Sequence, residues 1–199
     1  MISNVCKIEN GTKDLAAILR ESEKVAVYND LTHKQALQLR LICEEIDGML
    51  PNIIQNFDGD LWIEFENGVC RVNVSLRYDG FTADKKEGLV GIAKNKKNAA
   101  ATGIVGKIRS VIEDVFLDED IVWSADITPE SVCYAADYHN RMDYARCWSL
   151  EQYRSSVKQA EKAEEWDELE KSVIASVADD VIVGVKGKQA DIIIVKKFA

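Results

Sequence analysis

The sequence predicts an α+β domain, a two-layer sandwich in which a mixed, mostly antiparallel sheet carries helices on one face. Hydrophobic and polar residues alternate on both sides of Asn67-Gly68, and a second apolar hairpin pattern closes the chain over residues 181–195. Between these hairpins, apolar residues recur at helical spacing. Helices and antiparallel hairpins in this order bury their apolar faces against one another as two layers. We expect one domain over residues 1–199, with an insertion over residues 83–165.

The first third of the chain is predicted to hold two helices with a strand between them. Apolar residues at helical spacing predict an amphipathic helix that follows Asp14 and ends near Lys24. The β-branched and aromatic segment Val25–Tyr28 predicts a brief strand. A long helix follows, because Thr32 and Gln35 have the spacing of a capping box, in which each side chain bonds the other's backbone N–H.

The next segment is predicted to be a β-hairpin. Pro51 is expected to end the long helix, since proline lacks the N–H that the helical ladder needs. From Leu61 to Leu76 the hydrophobic period is two, and Asn67-Gly68 in the middle is typical of a type I′ turn. Apolar residues at helical spacing then predict a helix through residues 104–115.

The C-terminal part is predicted to add helices and a second hairpin. Thr128-Pro129 is a favourable helix start, and Ser149-x-x-Gln152 has the spacing of a second capping box. An apolar helical face follows over residues 169–178. The strands 181–185 and 190–195, around a Lys-Gly-Lys turn, are apolar on both faces. This pattern predicts that they are either central in the sheet or covered on one side and partly covered on the other.

Composition limits the classes of partner. The chain has 25 basic and 34 acidic residues, a formal charge of −9, and 47% hydrophobic residues. An acidic surface repels nucleic acid and anionic membranes, so neither is expected as a partner. The basic region from Lys85 to Arg109 lacks interleaved aromatic residues and is interpreted as a solvated loop.

The cysteines and the chain start favour a cytoplasmic protein. Five cysteines are present, an odd number without a C-x-x-C pair, and all five are interpreted as reduced, buried thiols. Residues 1–8 lack the basic start and the long apolar run of a signal peptide.

Both ends of the chain resemble the GHKL ATPase superfamily, which includes histidine kinases and anti-sigma-factor serine kinases. In that superfamily a helix ends in an acidic turn and a final hairpin completes the sheet, which is similar to residues 169–198 here. Residues 25–80 resemble the first half of the family's domain: a strand, a long helix with an acidic motif, and a hairpin that leads into Asp79-Gly80. The resemblance does not cover residues 83–165.

The family's acidic motif implies a role for Glu45. In GHKL enzymes a glutamate on this helix activates a hydroxyl or water, and an asparagine one turn later holds Mg²⁺. Glu45 matches the glutamate, so the resemblance implies that it is the catalytic base; the alternative is a solvated helix residue. The position four residues later is Met49, whose thioether does not suit a hard cation. No metal ligand is therefore assigned, although Asp47 and Asn52 are the nearest candidates.

The family's nucleotide motifs imply a second group of residues. By resemblance, Asp79 accepts from the adenine amino group and Gly80 lets the backbone approach the nucleotide, although an aromatic residue follows where the family has a glycine. A strand-ending turn is the alternative, because Asp-Gly is a common turn pair. Gly103 and Gly106, at a helix start, could hold phosphate together with Lys97.

Three functions remain open from the sequence. The leading hypothesis is a cytoplasmic regulatory protein with a GHKL-like fold and a degenerate nucleotide site, which binds a protein partner through the insertion at residues 83–165. The alternative is a working ATP-dependent serine kinase or ATPase, with ATP and Mg²⁺ as cofactors. A third possibility is a pocket for another small ligand, under the segment that follows the first hairpin. The aromatic residues of the insertion form either a small core or the partner-binding face.

Overall fold

The structure is a computed structural model that describes residues 1–9, 15–54, 56–78, 103–117, 146–160 and 172–198. The described strands are β1 Cys6–Glu9, β2 Phe57–Glu66, β3 Val69–Tyr78, β4 Arg146–Ser149, β5 Asp180–Lys186 and β6 Gln189–Lys197. The described helices are α1 Leu15–Tyr28, α2 His33–Ile53, α3 Gly103–Leu117, α4 Leu150–Ala160 and α5 Val173–Val177.

The six strands form one sheet in the order β1-β2-β3-β6-β5-β4, with every neighbouring pair antiparallel. The two predicted hairpins are β2–β3 and β5–β6, and they join where β3 pairs with β6, for example at Val72↔Ile194. The predicted type I′ turn is confirmed, because Asn67 and Gly68 have φ angles of 50° and 77°. Both ends of the chain therefore contribute to one continuous sheet.

The helices cover one face of this sheet, which confirms the predicted α+β sandwich. The main core joins alternate residues of the strands, such as Leu61 and Ile192, to apolar residues of α2 and α3. In α3 these are Ile104, Ile108 and Ile112, all at most 1% exposed. Their spacing of four places them on one side of the helix.

A smaller cluster lies on the opposite face of the sheet. Ile182, Ile193 and Val195 are buried there, and Val69 and Cys147 pack against them. This arrangement explains why the terminal hairpin is apolar on both sides: Val181 and Val183 belong to the main core, and Ile182 between them belongs to the smaller one. The prediction that these strands lie inside the sheet is confirmed, because β3 and β4 flank them.

The strand predicted at Val25–Tyr28 is wrong, because these residues are the last turn of α1. Val25 is fully buried, seven residues after buried Ile18, so the two lie on one helical face. The carbonyl of Val25 accepts from the N–H of Asn29 at 3.2 Å, which continues the helical pattern. Packing of this face thus outweighs the β propensity of four residues.

The first strand, β1, was not predicted. It adds to the edge of the first hairpin through the pair Cys6↔Leu61, and it alternates buried and exposed residues. The backbone N–H and the side-chain amide of Asn4 donate to the carboxylate of Glu21 on α1. Glu21 is only 8% exposed, and its hydrogen bond from Lys24 and those from Asn4 lower its pKa although burial opposes them.

The long helix begins as predicted and ends later than predicted. Thr32 and Gln35 form the complete capping box. Pro51 does not end α2, which continues to Ile53. Proline removes one ladder bond near the helix end, while the N–H of Ile54 still reaches the carbonyl of Leu50 at 3.0 Å. Burial of Ile53 and Ile54 holds this last turn against the core.

The predicted helices of the C-terminal half are confirmed where the structure describes them. α3 extends the prediction at residues 104–115. Ser149 precedes α4, and its hydroxyl accepts from the N–H of Gln152 at 3.4 Å. α5 is a short part of the predicted face at 169–178. The helix predicted at Thr128 lies outside the described residues.

Three cysteines agree with the predicted reduced, buried state: Cys6, Cys43 and Cys70 are free and buried. For Cys147 the prediction is wrong, because this residue is disulfide-bonded. It lies half-buried on the edge strand β4 and packs against the smaller cluster, on the face away from the helices. Cys133 lies outside the described residues.

Candidate functional site

The candidate base, Glu45, lies in the middle of α2 and is half-buried. The residues next to Glu45 on the helix take part in an ion pair or in the core. Glu44 pairs with Arg40 at 3.0 Å, and Cys43 and Ile46 are buried in the main core. Glu45 and Asp47 are the half-buried acidic residues of this segment that form no ion pair with another described residue of α2.

The residue one turn after Glu45 is part of the core. Met49 is 5% exposed and belongs to the main cluster of buried residues. Its thioether is a soft donor, whereas Mg²⁺ takes oxygen ligands in near-octahedral geometry. Of the two nearby alternatives, Asp47 is half-buried, and Asn52 donates its amide to the carbonyl of Gly48 at 3.1 Å. The described residues contain no group of three or more potential metal ligands.

The glycine-bearing helix α3 packs beside α2 and against β5. Gly103 begins the helix with a φ of 77°, a backbone conformation that other residues rarely adopt. Gly106 is buried between the core residues Ile104 and Ile108. The positive φ is a structural reason for Gly103, and both glycines lie on a helix adjacent to the one that carries Glu45.

Two aromatic residues of the predicted insertion pack onto the core side of the sheet. The rings of Trp148 and Tyr153 lie 6.1 Å apart, and both contact the main cluster. The ammonium group of Lys107 on α3 lies 4.7 Å from the centre of the Tyr153 ring, within the range of a cation–π interaction. The predicted insertion at residues 83–165 thus includes α3 and β4, which contribute to the core and the sheet.

The end of β3 is tied to the turn of the terminal hairpin. Tyr78 is 5% exposed, its hydroxyl donates to the carbonyl of Gly187 at 3.2 Å, and its N–H donates to the carbonyl of Lys188 at 3.2 Å. Burial raises the pKa of the Tyr78 phenol, so this hydroxyl remains a donor at neutral pH. The last described residue before Asp79 is therefore held firmly.

A cavity of about 440 Å³ opens at this end of the sheet. We call it the hairpin cleft, and the residues that line it are Asp58, Arg77, Tyr78, Lys186, Lys188 and Gln189. None of these six residues was among the site residues predicted from the sequence. They come together because β3 pairs with β6, so the ends of both hairpins meet. The signal that could have found them is the basic residue at each hairpin end.

The remaining predicted site residues, Asp79, Gly80 and Lys97, lie outside the described residues, as do most of the aromatic residues of the insertion. No family model matches the chain, and no curated protein is significantly similar to it. The relation to GHKL domains therefore stays a prediction that depends on the residues named above.

Among the described helices, none is both long enough and apolar enough to cross a bilayer.

Proposed function

We propose that this domain is a cytoplasmic regulatory module of GHKL-like architecture with a degenerate nucleotide site, and that it acts by contacting another protein. The observation that carries the proposal is the burial of Met49, which is 5% exposed, one turn after Glu45. In the family an oxygen ligand for Mg²⁺ belongs at that position. A buried thioether leaves Glu45 without the metal that would neutralise phosphate charge beside it.

Two further observations support the proposal. The two hairpins share one sheet through the pairing of β3 with β6. Helix α2, which carries Glu45, covers that sheet. Both features are expected of a GHKL-like domain. The acidic charge of −9 favours a protein partner over nucleic acid or an anionic membrane. The partner-binding segment that we propose is the range 83–165.

An alternative function is a working ATP-binding domain, similar to an anti-sigma-factor serine kinase. The observation in its favour is that α3, with Gly103 at its start, packs beside α2. In that case Glu45 is the general base, Asp79 recognises adenine, and another residue supplies the magnesium ligand.

Calorimetric titration with ATP, in the presence and absence of Mg²⁺, separates the two functions. The degenerate site predicts no magnesium-dependent heat of binding to the full chain. Micromolar, magnesium-dependent binding that is lost in Glu45→Ala or in Asp79→Asn would overturn the proposal. Glu44→Ala is the matched control, since Glu44 is the neighbouring half-buried acid on the same helix and pairs with Arg40. Circular dichroism of each variant establishes that a loss of binding is not a loss of fold.

A further inference from the structure

The hairpin cleft gathers three basic side chains and one acidic side chain at the ends of the two hairpins. Asp58, Arg77, Gln189 and Lys186 are direct register neighbours on four adjacent strands, β2, β3, β6 and β5. Residues in direct register point to the same face of a sheet, so these four side chains form one row across it. The row lies on the face away from the helices, because Leu76, next to Arg77, is fully buried in the main core.

The charges of the cleft sum to a local positive site. Arg77, Lys186 and Lys188 supply three positive charges, and Asp58 supplies one negative charge, which leaves two positive charges. Within the lining, the Arg77 Nε and an Asp58 oxygen form an ion pair at 3.7 Å, and both side chains are 66% exposed. Such a long, exposed pair is weak, so the planar guanidinium of Arg77 can accept a stronger ligand.

The cleft is also held in shape. The two hydrogen bonds from Tyr78 to Gly187 and Lys188 join β3 to the turn that carries the lysines. Gln189 donates its amide to the Ser75 hydroxyl and to the Asp191 carboxylate, each at 3.2 Å. It therefore acts as a fixed wall rather than as a free donor. A site whose supporting groups are fixed in advance loses less entropy on binding.

From these features we propose that the hairpin cleft binds the phosphate group of a small phosphomonoester. A phosphomonoester carries close to two negative charges at neutral pH, and the charged residues that line the cleft sum to +2. A single carboxylate would neutralise half of that sum. The volume of about 440 Å³ exceeds what a bare phosphate fills, and it lies in the range of small-ligand pockets. An organic group attached to the phosphate therefore has room in the cleft.

Glu45, the candidate base of the nucleotide site, is not among the residues that line the hairpin cleft. Ligand binding in the hairpin cleft requires neither Glu45 nor Mg²⁺. ATP held there by its phosphates would bind without Mg²⁺ and would be insensitive to Glu45→Ala, so the two hypotheses fail in distinguishable ways.

The test is a titration of the ¹⁵N-labelled full chain, followed by amide chemical shifts, with three probes: phenyl phosphate, inorganic phosphate and benzoate. We expect phenyl phosphate to shift the amides of Arg77, Gly187 and Lys188, and to bind more tightly than benzoate. Tighter binding of phenyl phosphate than of inorganic phosphate assigns the site to a phosphomonoester, and equal binding assigns it to free phosphate. The proposal would be overturned if benzoate and phenyl phosphate bind equally well. It would also be overturned if the shifts extend to exposed lysines and arginines throughout the chain instead of the residues of the cleft.

Charge variants of exposed residues sharpen this test without disturbing the core. The double variant Lys186→Gln/Lys188→Gln should weaken phenyl phosphate binding about tenfold, at about threefold per exposed charge. Asp58→Asn should strengthen it about threefold, because it releases Arg77. The control is Lys7→Gln on β1, whose side chain is 73% exposed and pairs with Asp60 instead. If Lys7→Gln weakens binding as much as the double variant, or if Asp58→Asn weakens binding, the cleft is not the site.

Discussion

Gly59 on β2 is predicted to be a position where one methyl group strongly destabilises the fold. A Cβ atom added there would lie 2.3 Å from the carbonyl oxygen of Ser75, and 3.1 Å and 3.2 Å from two atoms of Leu76. The first distance is about 1 Å short of ordinary contact, and the opposing atom is backbone, which cannot rotate away. β2 pairs with β1 on one side and β3 on the other, so the strain spreads to both ladders.

We expect Gly59→Ala to lower the free energy of unfolding by about 3 kcal/mol, the upper end of the overpacking range. For a chain of this size, that corresponds to a fall in Tm of about 6 to 12 °C. The assay is thermal and urea unfolding followed by circular dichroism. The matched control is Gly48→Ala on α2, where an added Cβ meets nothing within 4 Å. This substitution should raise stability by about 1 kcal/mol, because alanine favours the helix.

The opposite signs of the two glycine substitutions are the test. If Gly59→Ala is as stable as the parent chain, the close approach of β2 and β3 at Leu76 does not exist in solution. If Gly48→Ala destabilises the protein, its site on α2 is not the open helix surface described above.

Three further outcomes can be checked by standard methods. The hydrogen bond from Lys24 lowers the pKa of Glu21 below 4.5 in the folded chain, so the contribution of Glu21 to stability is complete above pH 4.5 and is lost as the pH falls through the lowered pKa. Urea unfolding at several pH values should show this loss of stability, and the Glu21→Gln variant should not show it. Thr32→Ala should cost about 1 kcal/mol in thermal unfolding, with recovery in Thr32→Ser, and equal stability of the two variants would contradict the capping role. Burial raises the pKa of the Cys70 thiol to about 12 and also raises that of Cys43. A thiol reagent should therefore label neither cysteine before the chain unfolds, and rapid labelling of the native chain would contradict their burial.

Local sequence signals predicted the elements that depend on local chemistry. The Asn67-Gly68 turn needs two positive φ angles, and few other residue pairs supply them. The Thr32 capping box likewise depends on residues three positions apart. Long-range packing decided the elements that sequence reasoning missed. Val25 has β propensity, but the burial of its helical face in the core assigns it to α1.

One part of the candidate site could be predicted from local sequence signals, and the other part depends on long-range pairing. Glu45 and Met49 share a helix, so their spacing of four was enough to predict that the family's metal ligand is missing. The hairpin cleft could not be predicted from spacing, because Arg77 and Lys186 are more than a hundred positions apart. They become neighbours through Gln189 only when β3 pairs with β6. The apolar pattern of the terminal hairpin predicts a covered position in the sheet, but it specifies neither the partner strand nor the register.

Paramagnetic broadening of amide signals by Mn²⁺ tests most directly whether a metal-bound nucleotide binds beside Glu45 on α2. Mn²⁺ is added to the ¹⁵N-labelled full chain with and without ATP, and the amide intensities of residues 45–49 are compared between the two samples. With Met49 buried at the position of the missing ligand, these intensities should be the same in both samples. Selective broadening at residues 45–49 that requires ATP and is reversed by excess Mg²⁺ would contradict the degenerate site.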